Sequence, residues 1–355
     1  MGKIDKYIDE INDAAADIER KIRLMEVCGT HTVAIFRAGI RQILPPNVEL
    51  VSGPGCPVCV TDDQYIDKAI AYALEPDTVI ATFGDMLKVP GSHSSLALAQ
   101  AEGADVRIIY SPLDAVEIAR DNPNRRVIFL AVGFETTAPT AAAAVLAARA
   151  QHIKNFYALS AHKLVPPIMR ALLDSDDIHV DGFLLPGHVA VVIGADAFNF
   201  LSTDYRMPGV VAGFEPEEIL RALVKLIRSV EELRADIDNE YSSVVRPKGN
   251  QAAQSILRQV YELDDADWRG IGSIKQSGLK MRDEFADFDI ERVEPITVKP
   301  SKTKTACRCG EVLRGVINPV ECPLFARACD PLHPTGPCMV SVEGVCAAWY
   351  KYNRH

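Results

Sequence analysis

The sequence predicts an α/β protein of parallel sheets with a separate, cysteine-rich unit at its carboxyl end. Three observations carry this. Short runs that are apolar throughout alternate with longer helical patterns, as expected of strands buried on both faces between covering helices. The 355 residues exceed one ordinary domain, so two or three units of ~100–150 residues are expected, and a hydrophobic content of 48% supplies their cores. The nine cysteines fall in two lots, with none between Cys59 and Cys307.

Taken in order, residues 3–24 place Ile4, Ile8, Ile11, Ala15, Ile18 and Ile22 at helical spacing and predict an amphipathic lead helix. Apolar runs predict strands over Val48–Ser52, Thr78–Phe83, Val106–Tyr110, Val127–Val132, Phe156–Ser160, Gly182–Leu185 and Val210–Ala212. Helical patterns lie between them, over His31–Leu44, Asp62–Leu74, Leu113–Asp121, Thr140–Gln151, Pro166–Leu173 and Pro216–Ala235. Thr61 and Gln64 form a T-x-x-Q capping box for the second of these, and Thr137 before Pro139 reads as another helix start. No period of 20–50 residues repeats. Composition shifts near 235–250, at Arg246-Pro247-Lys248-Gly249, and near 286–305, ending in Lys302-Thr303-Lys304. With a further boundary placed near 130, the expected units are 1–130, 131–245 and 246–355.

A net charge of −10 and a pI near 5.4 argue against nucleic acid or an anionic membrane surface as partner. Residues 1–24 are too charged for a signal peptide, and Ala138–Ala150 is too short to span a bilayer. A soluble, cytoplasmic protein is expected. In that reducing compartment the cysteines are read for metal or redox chemistry rather than as a disulfide framework.

Cys28 ends an apolar run and precedes Gly29, Thr30 and His31. With Thr30 as N-cap, the positive end of the following helix would lower the Cys28 thiol pKa and leave its sulfur accessible. Taken singly, a small buried cysteine and a structural His31 are the commoner readings. Gly53, Pro54, Gly55 and Pro57 force a tight loop around Cys56 and Cys59, holding two sulfurs within reach of a disulfide or a shared metal. Half a zinc knuckle would need a partner pair nearby in sequence, and there is none. Polar groups also stand at other strand ends: Asp85, Glu135, His162 and His188. Carboxyl ends of parallel strands line the binding crevice, so Glu135, His162 and His188 are candidates there, though each alone could be a cap or a turn, and Asp85 reads as a turn residue. No G-x-G-x-x-G or G-x-x-x-x-G-K-[ST] occurs, so a standard nucleotide loop is not supported.

The tail spaces Cys322, Cys329, Cys338 and Cys346 as C-x6-C-x8-C-x7-C amid Pro and Gly. Zinc sites favour paired knuckles, which this tail lacks; four separated thiolates in apolar loops suit a [4Fe–4S] cluster better than structural zinc. Cys307 and Cys309 are then an extra C-x-C, either a dithiol beside the cluster or substitutes for one of the four ligands.

With C-G-T-H (28–31), G-P-G-C-P-V-C (53–59), G-F-E-T-T (133–137), P-G-H-V (186–189) and C-P-L-F-x3-C…G-P-C-M-V-x2-E-G-x-C (322–346) in order, the chain closely resembles the HypD family of [NiFe]-hydrogenase maturation proteins over its whole length. The resemblance implies two Rossmann-like parallel-sheet domains flanking a cleft, plus a small carboxyl-terminal iron–sulfur domain. It implies an assembly scaffold rather than a metabolic enzyme. Such proteins join the chaperone HypC and hold an iron ion while two cyanides and one carbon monoxide are attached. Cyanide comes from HypE with HypF, and the product passes to the hydrogenase large-subunit precursor. Carried over by motif, Cys28 would be an iron ligand or essential thiol beside Thr30 and His31. Cys56 and Cys59 would relay electrons, and Cys322, Cys329, Cys338 and Cys346 would hold the cluster. The rival reading is a cluster-dependent thiol–disulfide oxidoreductase acting on a protein disulfide.

Overall fold

A computed structural model describes residues 3–299 and 306–353. Its strands are β1 (Ile22–Glu26), β2 (Val48–Ser52), β3 (Thr78–Thr82), β4 (Asp105–Ile108), β5 (Arg126–Gly133), β6 (Phe156–His162), β7 (Gly182–Pro186), β8 (Gly209–Ala212), β9 (Ile237–Asn239), β10 (Tyr261–Trp268) and β11 (Gly272–Met281). They form a five-stranded sheet of order β2-β1-β7-β8-β9, a four-stranded sheet of order β4-β3-β5-β6 and the β10–β11 hairpin. Every pair in the two larger sheets is parallel, and the hairpin is antiparallel. The α/β class and the two parallel sheets are as the apolar strands predict, since β3, β7 and β8 are buried along their whole length.

The order in space differs from the order expected along the chain. The four-stranded sheet is inserted between β2 and β7, so the five-stranded sheet draws on residues 22–52 and again on 182–239. A boundary at 130 falls inside β5, an inner strand of the inserted sheet, and separates nothing. Residues 251–293 do not belong with the tail either. The helix Gln251–Val260 packs on the helix Ala138–Ala150, and β11 packs on β6. Tyr261, Leu279, Met281 and Phe285 share one core with Val127, Phe129 and Phe156. The run Lys302-Thr303-Lys304 lies outside the described residues.

Two local corrections have physical causes. The lead helix stops at Ala16, and Ile22 begins β1. No Gly or Pro punctuates 17–21, and Ile18 and Ile22 happen to keep helical spacing, yet Leu24 and Met25 side by side are both fully buried, as in a strand covered on both faces. The helix expected over 31–44 is two, Gly29–Arg37 and Ile40–Ile43, divided by Gly39 at φ 66°, a left-handed turn that suits glycine. Among the described residues no helix is long and apolar enough to cross a membrane.

In the five-stranded sheet the chain leaves β1 toward β2 on one side, while β7 leads to β8 and β9 on the other. The carboxyl ends of β1 and β7 therefore flank a topological switch point, where parallel sheets place ligands. Cys28 follows β1 and His188 follows β7.

Candidate functional site

Cys28 is the N-cap of the helix Gly29–Arg37, with extended backbone (φ −145°, ψ 122°) and no side-chain cap bond. Thr30, expected to cap, sits instead in the first turn, where its Oγ1 donates to Glu343 Oε1 at 2.6 Å. Burial pushes the Cys28 thiol up to about 11, and the Glu343 carboxylate adds to this; hydrogen bonds from the His31 amide and from Thr30 work the other way without prevailing. The lowered pKa expected from the helix end is thus reversed, because desolvation outweighs the helix dipole, and the residue is only partly accessible. His31 is fully buried. Its Nε2 lies 2.8 Å from the Gly213 carbonyl, its ring stacks on Phe214 at 4.5 Å, and burial lowers its pKa to about 4. A neutral ring that donates through Nε2 leaves Nδ1 as a lone pair, without a partner among the described residues. His188, second residue of the helix Gly187–Ile193, also stacks on Phe214, at 3.9 Å; burial lowers its pKa while Glu343 opposes.

The G-P-G-C-P-V-C loop closes over the same turn. Gly53 N donates to Glu26 O, and Gly29 N donates to Gly55 O at 3.0 Å. A Cβ on Gly55 would stand 2.3 Å from Cys28 N, so glycine there is what allows the two loops to touch. Cys56 caps a single helical turn, Pro57–Val60, and is joined to Cys59 by a disulfide across a Cα–Cα distance of 5.3 Å. Both residues are buried, 1% and 0% exposed. The Thr61/Gln64 box does not form. Asp62 caps the next helix by accepting from Tyr65 N, while Thr61 Oγ1 donates back to Pro57 O.

Behind this turn lies the tail. The turn Pro337–Met339, which carries Cys338, packs against Pro57–Val60, and the helix Val345–Tyr352 packs against Gly29–Arg37. Asp85 lies in the 3-10 turn Gly84–Lys88, as expected of a turn residue, and Ser341 Oγ donates to its Oδ2 at 2.8 Å, which ties the tail to the end of β3. All six tail cysteines line one cavity of about 20 Å³ with Val312, Leu324, Phe325 and Met339. Cys307 donates to Cys309, which raises the first thiol and lowers the second; Arg269 alongside also favours the Cys309 thiolate. Among the described residues no three Cys, His, Asp or Glu side chains are grouped so as to hold a metal ion. A cubane cluster is a larger body, held by thiolates set farther apart than those around one ion. The cavity of about 20 Å³ has room for little more than one water, so the fit is in the donor set: soft sulfur ligands in apolar surroundings suit that chemistry.

Glu135 and His162 end neighbouring strands of the other sheet, so the three strand ends expected to share one crevice divide, with His188 beside His31. Glu135 Oε1 accepts from Val165 N at 2.9 Å, and burial raises its pKa to about 7. His162 lies edge-on to Tyr261 at 5.8 Å, and burial lowers its pKa to about 3. Lys163 Nζ donates to Asp267 O and stands 5.6 Å from the Trp268 ring.

Glu343, Phe214 and Arg269 belong to the site without having been expected there. The E-G-x-C motif marks position 343, but nothing local to it points to a hydroxyl 313 residues away.

The family model HypD, described as "Hydrogenase formation hypA family", matches residues 2–353. The chain is 44% identical to the hydrogenase maturation factor HypD of Azotobacter vinelandii, over 98% of this chain and 97% of that one. It is 43% identical to the hydrogenase maturation factor HypD of Escherichia coli (strain K12), over 99% and 96%. With that of Cupriavidus necator it shares 42%, over 98% and 97%. A match of this extent, on a chain whose thiol motifs fold together, means that it belongs to the HypD family of hydrogenase maturation factors.

Proposed function

We propose that this maturation factor is a cytoplasmic scaffold, joined by the chaperone HypC, on which the Fe(CN)2CO unit of [NiFe] hydrogenase is assembled. The supporting observation is the contiguity of its sulfur chemistry: the Cys28 turn touches the Cys56–Cys59 loop, which abuts the Cys338 turn. Iron is the cargo. Low-spin iron that takes cyanide and carbon monoxide favours a soft thiolate, and Cys28 supplies it. Its raised pKa keeps the thiol protonated until the cation arrives, when the proton must leave; the carboxylate of Glu343 is beside it to receive that proton. His31 stays neutral and holds the base of the turn. Cyanide comes from HypE with HypF, and the finished unit passes to the hydrogenase large-subunit precursor.

The Cys56–Cys59 disulfide takes up two electrons and two protons to become a dithiol, and gives them back on closing. Cys322, Cys329, Cys338 and Cys346 would hold a [4Fe–4S] cluster, whose chemistry is one-electron transfer. Cys307 and Cys309 form a dithiol alongside. The rival, a thiol–disulfide oxidoreductase acting on another protein, is favoured by the disulfide next to Cys338. Burial of both Cys56 and Cys59 weighs against it, since a protein substrate would need to reach them.

The test is infrared spectroscopy of the anaerobic complex with HypC. Fe–CN and Fe–CO bands are expected, and they disappear in Cys28→Ala. That loop substitution should cost the fold only about 1 kcal/mol. Bands at full intensity in the variant would remove Cys28 from the iron site, and turnover of a protein disulfide by the isolated chain would favour the rival.

A further inference from the structure

Glu135 is among the residues lining a groove of about 600 Å³ that has no residue in common with the thiol cavity. Its walls are mainly apolar. Pro166 and Ala171 come from the helix Val165–Leu173, Leu257 from Gln251–Val260, and Leu263, Ile274 and Leu279 from the hairpin. The volume is that of a small-molecule site, and such sites pair apolar walls with a few fixed polar groups.

Asp174 also lines the groove but accepts from the Tyr205 hydroxyl; the buried polar group is the Glu135 carboxyl, in a residue 2% exposed. Oε1 is used by Val165 N, and Oε2 has no partner among the described residues. A buried carboxyl oxygen left unpaired costs free energy, and a donor brought to it recovers that cost. We infer that the groove binds a small apolar molecule whose amino head donates to Glu135 Oε2. A cationic nitrogen makes the stronger bond, since a charge-assisted hydrogen bond in a water-poor site gains most. Cations on the rim oppose this only weakly. Arg170 is paired with Asp204, Arg258 is turned to Gln254, and Lys275 is exposed to solvent, where salt screens it.

Calorimetry on the full chain with n-hexylamine tests the inference, with hexanoate as the comparison of equal length and opposite charge. Hexylamine should bind at least tenfold more tightly than hexanoate. Glu135→Gln keeps the acceptor for Val165 N and should weaken hexylamine at least tenfold. Ala171→Trp fills the groove from the helix Val165–Leu173 and leaves the Glu135 side chain itself unchanged; it should abolish binding, so the inference stays testable if the Gln variant does not fold. No binding of hexylamine, equal binding of the two probes, or undiminished binding in a folded Glu135→Gln protein would each overturn it; a carboxyl satisfied by water alone would give one of these results.

Discussion

Thr30 donates its hydroxyl to the Glu343 carboxylate at 2.6 Å, joining the first turn after β1 to the loop between Cys338 and Cys346. The contact is tight on the backbone side too, since a Cβ at Gly29 would meet Glu343 O at 2.5 Å. The residue next to Cys28 is therefore fixed by the same loop that carries two of the tail thiols, and the charge of that loop bears on Cys28 directly.

Glu343→Gln keeps an acceptor for Thr30 and removes the charge. The Cys28 thiol should then titrate below its value of about 11. The pH dependence of alkylation at Cys28, followed by mass spectrometry, reads this directly, and an unchanged profile would show that burial alone sets it.

Cys56 and Cys59 should cycle between disulfide and dithiol. Reduction, acid quench, unfolding and alkylation should add label within residues 53–60 only under reducing conditions. If both sulfurs take label at every potential applied, the pair carries no electrons.

Anaerobic protein should be brown and hold about four irons per chain with little zinc. Cys338→Ala should lose iron and tail stability together, because cluster binding and folding of a loop-rich segment are linked. Stoichiometric zinc without iron would sink the cluster.

His162 titrates at about 3 in the fold against an ordinary 6.5. Between these values the unfolded chain binds more protons, so its contribution to stability is whole above pH 6.5 and is lost as pH falls. Glu135 runs the other way: raised from 4.5 to about 7, its contribution is whole below 4.5 and is lost as pH rises. The two oppose, so the informative quantity is the difference from His162→Phe, which keeps a ring against Tyr261. From pH 7.5 to 5 the parent should lose about 2 kcal/mol more than this variant in denaturant unfolding. Parallel stability curves would contradict the buried, neutral imidazole.

Strands of both parallel sheets were legible where they are apolar on both faces and set off by turn residues, as in Thr78–Thr82 and Gly182–Pro186, whereas β1 merged with the helical spacing before it. The β10–β11 hairpin was not. Its first strand runs Y-E-L-D-D-A-D-W, with Leu263, Asp264 and Asp265 all exposed, and composition alone does not separate it from a loop. The two lots of thiols could be read from spacing, since each needs only local sequence. The Thr30–Glu343 bond and the stacking of His31 and His188 on Phe214 could not, because they are made by chain segments that only the fold brings together. The Cys28 thiol departs from its expected pKa for a related reason. A helix end can be seen in sequence, but the depth of burial that overrides it cannot.

The insertion between β2 and β7 also orders events during synthesis. Arg23 N reaches Asp181 Oδ2 at 2.7 Å across 158 residues, and β7 pairs directly with β1. Until residue 182 has left the ribosome, β1 and β2 can form only a two-stranded fragment, which is marginal in water. All four strands of the other sheet, residues 78–162, have by then been made and are close in sequence. Nascent chains thus carry an exposed β1 edge through the whole synthesis of the inserted sheet. Long-range parallel pairing is slow, and an uncovered strand edge is where association with other chains begins. The architecture that sets the Cys28 turn against β7 thereby makes that turn one of the last parts of the molecule to be completed.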